Sequence, residues 1–223
     1  MFAVIFVVEP QNGHMDDYLD QAKLLKPELA KIDGFIDNER FGSLTRKRED
    51  GRILSLSLWR DEKSLIRWRT LGMHHVVQIK GRNGIFDNYH LRVGEIISDS
   101  RLPKDRKIQP QRLDTTAVSE ARFTTISEFD AGQKPVDADL AKDLGLPAIG
   151  VDGIVDYEIF QSITNPGKLL LLTDWRNEDM PEAWRQKIPV SKQINHRCVR
   201  VIRTYGMFER QEAPQYYPEV KKQ

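Results

Sequence analysis

With 223 residues, 39% hydrophobic and 30% charged, and a formal net charge of +1, the chain can bury one large core or two small ones and has no global pull towards nucleic acid. A single cysteine, Cys198, rules out an internal disulfide, and the sequence has no CxxC, HExxH, GxGxxG, P-loop or nucleophile-elbow spacing to support zinc, redox, nucleotide or flavin chemistry. The opening MFAVIFVVEP has an apolar run too short for a bilayer and no basic leader, so the chain is expected to be cytoplasmic, with no membrane partner.

In chain order, FAVIFVVE is strand-like. GHMDDYLDQAKLLKPELAKI puts Met15, Tyr18, Leu19, Ala22, Leu25 and Leu29 at helical spacing, with Pro27 expected to bend or interrupt the helix and Asp33-Gly34 to close it. FIDNERFGS and GRILSLSLW form a hairpin around a polar loop. Its second arm alternates Ile53, Ser55 and Ser57 with Leu54, Leu56 and Leu58, the pattern of a strand with one buried face. DEKSLIRWRTLGMHHVVQIKG reads as one helix capped by Asp61, and YHLRVGEII as a last strand, giving βαββαβ. SDSRLPKDRKIQPQRLDTTAV, polar with two prolines, reads as a linker. Beyond it ARFTTISEF, a helix around PVDADLAKDLG, IVDYEIFQS, KLLLLTDW, a helix from Asn177 and RCVRVIRTYGMF repeat the same order. The basic clusters Arg46-Lys47-Arg48 and Lys104-Asp105-Arg106-Lys107 read as solvated loops.

The repeat extends to individual residues. GRILSLSLWRDEKSLIRWR and GKLLLLTDWRNEDMPEAWR share a Gly-cation start, a Trp-Arg at the end of the strand and a second Trp-Arg on the helix; DGFIDNERFGS and DGIVDYEIFQS share Asp-Gly, Asp, Glu, Phe and Ser. The spacing between copies is 119 residues at Asp33 and Asp152 and 116 at Trp59 and Trp175, so the first hairpin loop is longer. The expected units are 1–98, a linker 99–116, a diverged second copy 117–211 and a tail 212–223. Two helices cover only one face of a four-stranded sheet, so each sheet needs the other to cover its open face. Trp59 and Trp175 read as strand-end packing, and Trp68 and Trp184 as packing or a cavity wall.

The run WRTLGMHHVVQIKGR followed by FDNYHLRVGEI resembles the antibiotic biosynthesis monooxygenase (ABM) family in Trp68, His74, Gln78, Gly81, Arg82, Phe86 and Tyr89. The resemblance is strong over residues 2 to 97 and covers only the Gly-cation-strand-Trp-Trp frame and Tyr205 in the second copy, where Val190 matches His74. It implies an α+β fold, two ferredoxin-like βαββαβ domains whose antiparallel sheets pack as an intrachain dimeric α/β barrel. It also implies a cofactor-independent monooxygenase acting on a small aromatic or quinol-like substrate. Such chemistry deprotonates an electron-rich phenol or hydroquinone, transfers electrons to dioxygen and collapses to a quinone. His74 is the candidate base, with Trp68, Gln78, Arg82, Phe86 and Tyr89 lining the substrate site; a solvated or core-satisfied His74 is the alternative. His74 is expected to face the cavity and His75 solvent or the linker. The functional pocket is expected in the first copy, because His74, Gln78 and Gly81-Arg82 have no equivalents after Trp184, and His196 is expected on another helix face or beyond the helix.

No cofactor is expected. Haem is the alternative that the resemblance leaves open, although Gln78 stands where haem-degrading relatives carry their ligating His, and Phe6 near their Asn. A haem-binding or haem-degrading protein and a non-catalytic small-molecule binder are therefore the other functional classes. The expected partner is a small-molecule substrate, and the two-domain chain could itself form a homodimer.

Overall fold

A computed structural model describes residues 1–46, 51–102, 108–130, 140–188 and 194–220. Lys47, Arg48, the cluster at Lys104, the start of the second-copy helix and Val190 lie outside them. The first copy runs β1 (Phe2–Pro10), α1 (Met15–Ala30), β2 (Phe35–Ser43), β3 (Ile53–Trp59), α2 (Glu62–Thr70), α3 (Gly72–Lys80), a π-helical turn (Gly81–Ile85) and β4 (Phe86–Asp99). The second runs β5 (Phe123–Asp130), α4 (Leu140–Asp143), β6 (Ile154–Ser162), β7 (Lys168–Trp175), α5 (Asp179–Lys187) and β8 (Ile194–Gly206). None of the helices described is long and apolar enough to cross a membrane.

Two ferredoxin-like sheets, β4-β1-β3-β2 and β6-β7-β5-β8, close into one antiparallel barrel. They join at both edges. β2 meets β6 through Phe41↔Ser162, Gly42↔Gln161 and Ser43↔Phe160, and β4 meets β8 from His90↔Gly206 to Asp99↔Arg197. Closure removes the free strand edges that would otherwise template aggregation. The period-2 alternation sends Ile5, Leu54 and Leu56 into the barrel, where they meet Ile126, Phe160 and Leu170 in a single cluster drawn from both copies. Each such side chain contributes roughly 1.5–3 kcal/mol on burial.

Charged side chains link the two copies. Glu158 of β6 accepts from Arg52 Nε at 2.9 Å and from Ser43 Oγ at 2.6 Å, while Arg92 of β4 holds Asp174 of β7 at 2.6 Å. Arg197 of β8 bridges Asp99 at 2.9 Å and Glu128 at 3.0 Å. Arg46, expected to be solvated, instead pairs with Asp156 across the β2–β6 seam.

The helices depart from the sequence expectations in two places. Helix α1 continues through Pro27 to Ala30, because its buried stripe of Tyr18, Ala22, Leu25 and Leu29 is anchored to the sheet on both sides of the proline. Proline there removes one main-chain hydrogen bond near the helix end. The expected single helix after Asp61 is two: Asp61 caps α2 by accepting from Ser64 N at 2.8 Å, but Leu71 is extended (ψ 126) and restarts the chain as α3. At the α1–β2 turn, Gly34 has φ +87, and a Cβ there would collide with Ser64 Oγ, so the Asp-Gly signature marks both a left-handed backbone and a close approach.

Candidate active site

The outward face of β4-β1-β3-β2 does not pack fully against its helices. Between them lies a cavity of about 210 Å³, compact beside the roughly 300–1,000 Å³ of common ligand pockets. Its walls come from α1, α2, α3 and the sheet, and one side is closed by the segment that follows β8. All six residues singled out from the sequence, His74, Trp68, Gln78, Arg82, Phe86 and Tyr89, line it.

The break at Leu71 folds His74 back over the end of α2. There its ring stacks on Trp68, with centroids 4.2 Å apart and planes 18° from parallel, and its Nδ1 lies 3.0 Å from the Trp68 carbonyl oxygen. A carbonyl oxygen only accepts, so Nδ1 carries the proton and Nε2 is left with its lone pair. Burial pushes the His74 pKa down to about 4, with the Trp68 hydrogen bond opposing and His75 adding to the shift. The imidazole is therefore neutral at neutral pH, and its basic nitrogen is free.

Phe86 packs edge-on against Phe6, Tyr18 and Tyr89, at ring separations of 6.0, 5.7 and 6.1 Å. A Cβ at Gly81 would collide with the Phe86 ring, which accounts for glycine at the π-helical turn. Arg82, only 5% exposed, donates to the Tyr89 hydroxyl at 2.7 Å and to the Met207 carbonyl at 3.2 Å. Gln78 Oε1 accepts from the Tyr217 hydroxyl at 2.7 Å. His75 does not face solvent or the linker: its ring stacks on Tyr217, a contact between residues 142 apart in sequence that helical spacing could not reveal.

Several wall residues had no sequence motif. Asn38 and Arg40 of β2 and Ser55 and Ser57 of β3 line the cavity from the sheet, Asn38 donating to Ser55 Oγ at 3.1 Å. The serine positions were legible as the face opposite the leucines, but that alternation alone cannot separate a solvent face from a cavity wall. Gln21 Oε1, Arg40 Nε and Arg69 Nε are buried without a hydrogen-bond partner, and all three residues line the cavity. Buried polar groups are normally paired, so three at one cavity mark places for a bound molecule or water. Among the described residues, the lining carries Lys26, Arg40, Arg69, Arg82 and Arg210, and no Asp or Glu. In a nearly neutral chain, this gathering of cations around one cavity favours a ligand with negative charge.

In the second copy the matching tryptophan is part of a buried cluster with Trp175, Leu144 and Leu171. Trp184, 2% exposed, sits 5.9 Å from Trp175 and donates to the Leu144 carbonyl at 3.1 Å. His196 lies beyond the helix, on β8, where it is buried beside Ser127 Oγ at 2.9 Å. Among the described residues, no three His, Cys, Asp or Glu side chains are placed to hold a metal ion.

Residues 1–79 and 137–192 match the family described as antibiotic biosynthesis monooxygenase. A protein of Pyricularia oryzae named jasmonate monooxygenase ABM is 41% identical over 223 residues, covering 98% of this chain and 99% of that protein. Among solved structures, an aldoxime dehydratase in complex with butyraldoxime aligns with TM-score 0.54 at 12% identity, covering 90% of this chain and 79% of that one. A second aldoxime dehydratase structure gives TM-score 0.51 at 13% identity, covering 90% and 80%. At these identities the two structures speak to the fold alone.

Proposed function

Because the chain belongs to the antibiotic biosynthesis monooxygenase family, we propose that it is a monooxygenase whose substrate is a small, largely apolar molecule with an enolisable or phenolic position and an anionic end. The observation that carries this reading is the cavity lining itself: mostly apolar and aromatic, with five cations and no carboxylate among the described residues. A jasmonate, named for the Pyricularia oryzae relative, has the right character and is the first substrate to try. A quinol-like aromatic also suits the cavity, favoured by the ring-lined pocket around Phe86 and Tyr89.

The chemistry draws its electrons from the substrate. His74 Nε2 takes a proton from the acidic C–H or O–H, and the resulting anion passes electrons to dioxygen. The cationic wall favours the negative charge on both the substrate and the reduced oxygen. Collapse to a hydroperoxide and loss of water turns a CH₂ or ring C–H into a carbonyl, with one oxygen atom retained and the other leaving as water. A base with a pKa near 4 is weak on its own, but an anion bound beside His74 would stabilise the imidazolium and raise that value as proton transfer begins. We further propose that this runs without a prosthetic group, in keeping with Gln78, at the haem-ligand position of related enzymes, being occupied with Tyr217.

The test is turnover under ¹⁸O₂ with jasmonate and, separately, with a hydroquinone. Incorporation of one labelled oxygen per product, with oxygen uptake by the purified chain, is the expected result. No uptake and no label with either compound would sink the reading.

A further inference from the structure

The segment after β8 does not leave the barrel at its own copy. It crosses to the cavity of the first copy, where Pro214, Gln215 and Tyr217 form part of the wall. Val220 packs against the cluster of Val8, Tyr18 and Tyr89, and the other attachments run through polar groups and the Tyr217 ring. The Tyr217 hydroxyl donates to Gln78 and lies 3.2 Å from His75 Nδ1, and its ring lies 5.2 Å from the Arg82 guanidinium and 5.4 Å from that of Arg210. Arg82 donates to the Pro218 carbonyl at 3.3 Å and Arg210 to that of Gln215 at 2.8 Å. From Pro214 to Val220 every residue is exposed or only half-buried. A segment held by a few half-exposed hydrogen bonds, one half-exposed ring and a single apolar anchor at Val220 belongs to the low-stability end of a structure, from which moving lids are drawn.

We propose that residues 214–220 are a strap that completes the substrate cavity of the first copy and opens to admit and release ligand, with Tyr217 as the latch on Gln78 and His75. The strap is also tied to the charge of the site. The two guanidiniums that hold its carbonyls, Arg82 and Arg210, are the two that meet at the Tyr89 hydroxyl, at 2.7 and 3.1 Å. An anion drawn to that wall competes for the same donors, so binding and strap position are coupled. The proposal also gives the duplication a role, since the second copy delivers this segment to a site in the first. It rests on the reading of the cavity as the substrate site.

Cavity access can be read without any substrate. Trp175 and Trp184 are at most 2% exposed and Trp59, which also borders the cavity, is fully buried, so acrylamide quenching of tryptophan fluorescence reports mainly on the partly exposed Trp68. Tyr217→Ala, and separately a chain ended after Ala213, should raise the quenching constant by roughly twofold or more if a lid has been removed. Adding Trp68→Phe to either variant should abolish that rise. Tyr217→Phe, which loses only the hydroxyl, should speed release of bound jasmonate by about 3–10-fold, the value of one net hydrogen bond. Quenching unchanged in folded Tyr217→Ala, with melting temperature and circular dichroism retained, would overturn the strap. Increased quenching in a protein that oxidises neither jasmonate nor hydroquinone would keep the strap and remove the proposed reaction.

Discussion

His74 is stacked face to face on Trp68 and also hydrogen-bonded to that residue's own carbonyl, so a single partner fixes both the plane and the tautomer of its imidazole. The two roles of the ring can be separated by mutation. In His74→Asn the side-chain amide can still donate to the Trp68 carbonyl but presents no basic nitrogen to the cavity. Turnover should fall by roughly 10²-fold or more, the usual loss for a positioned acid or base, with the melting temperature nearly kept. His74→Ala should lose the same activity and also loosen the α2–α3 junction. Wild-type turnover in His74→Asn would show that the imidazole only fastens that junction.

Arg40 offers a buried, unpaired Nε to the cavity, with the Tyr18 ring 6.0 Å from its guanidinium. Arg40→Met should raise KM for an acidic substrate about 10- to 100-fold, the worth of one charged hydrogen bond of roughly 1.5–3 kcal/mol. The methyl ester of the same compound should bind the variant and the wild type alike. An equal loss for acid and ester would point to a change in cavity shape rather than in charge recognition.

His74, His90 and His196 are each pushed down to about 4, in every case chiefly by burial. Nearby arginines add to the shift at His90 and His196. Between about pH 6.5 and 4 these groups are neutral when folded and protonated when unfolded. The unfolded chain therefore binds more protons across that window, and stability rises with pH and falls on acidification. Each histidine steepens the slope by up to about 1.4 kcal/mol per pH unit. Urea midpoints at pH 7, 6 and 5 should decline in that order, and His196→Gln should flatten the decline. Equal midpoints at all three values would contradict the burial assigned to these rings.

The fold was legible in the sequence because its signals are local or repeated. The serine–leucine alternation of β3, the Asp-Gly turns and the paired Trp-Arg steps fix strand faces, turns and duplication without knowledge of the tertiary contacts. His74, Arg82 and Tyr89 were reachable because family-like spacing survives in the first copy. Arg40, Arg69 and Arg210 were not, since they come from β2, α2 and the segment after β8, and only barrel closure and helix docking bring them to one cavity. The break at Leu71 was missed for another reason: a helical pattern of apolar residues continues across it, and the extended Leu71 backbone has no proline to announce it. His75 was misplaced because its partner, Tyr217, arrives from the far end of the described chain.

Trp68 and Trp184 occupy matching places in the repeat and have opposite surroundings. Trp184 is packed against Trp175, with its indole N–H bonded to the Leu144 carbonyl, so truncation leaves a cavity and an unpaired carbonyl. Trp184→Ala should therefore cost about 3–5 kcal/mol of stability, with kcat per folded molecule unchanged. Trp68 already borders a cavity, and its ring faces His74 on one side. Trp68→Ala should cost clearly less stability, because its neighbours lose fewer contacts, yet lower kcat by freeing the His74 ring to rotate away from its working orientation. Urea unfolding and steady-state kinetics on the two variants give four numbers. A Trp68 variant that loses stability like Trp184→Ala while keeping its kcat would mean that both copies use this tryptophan for packing alone.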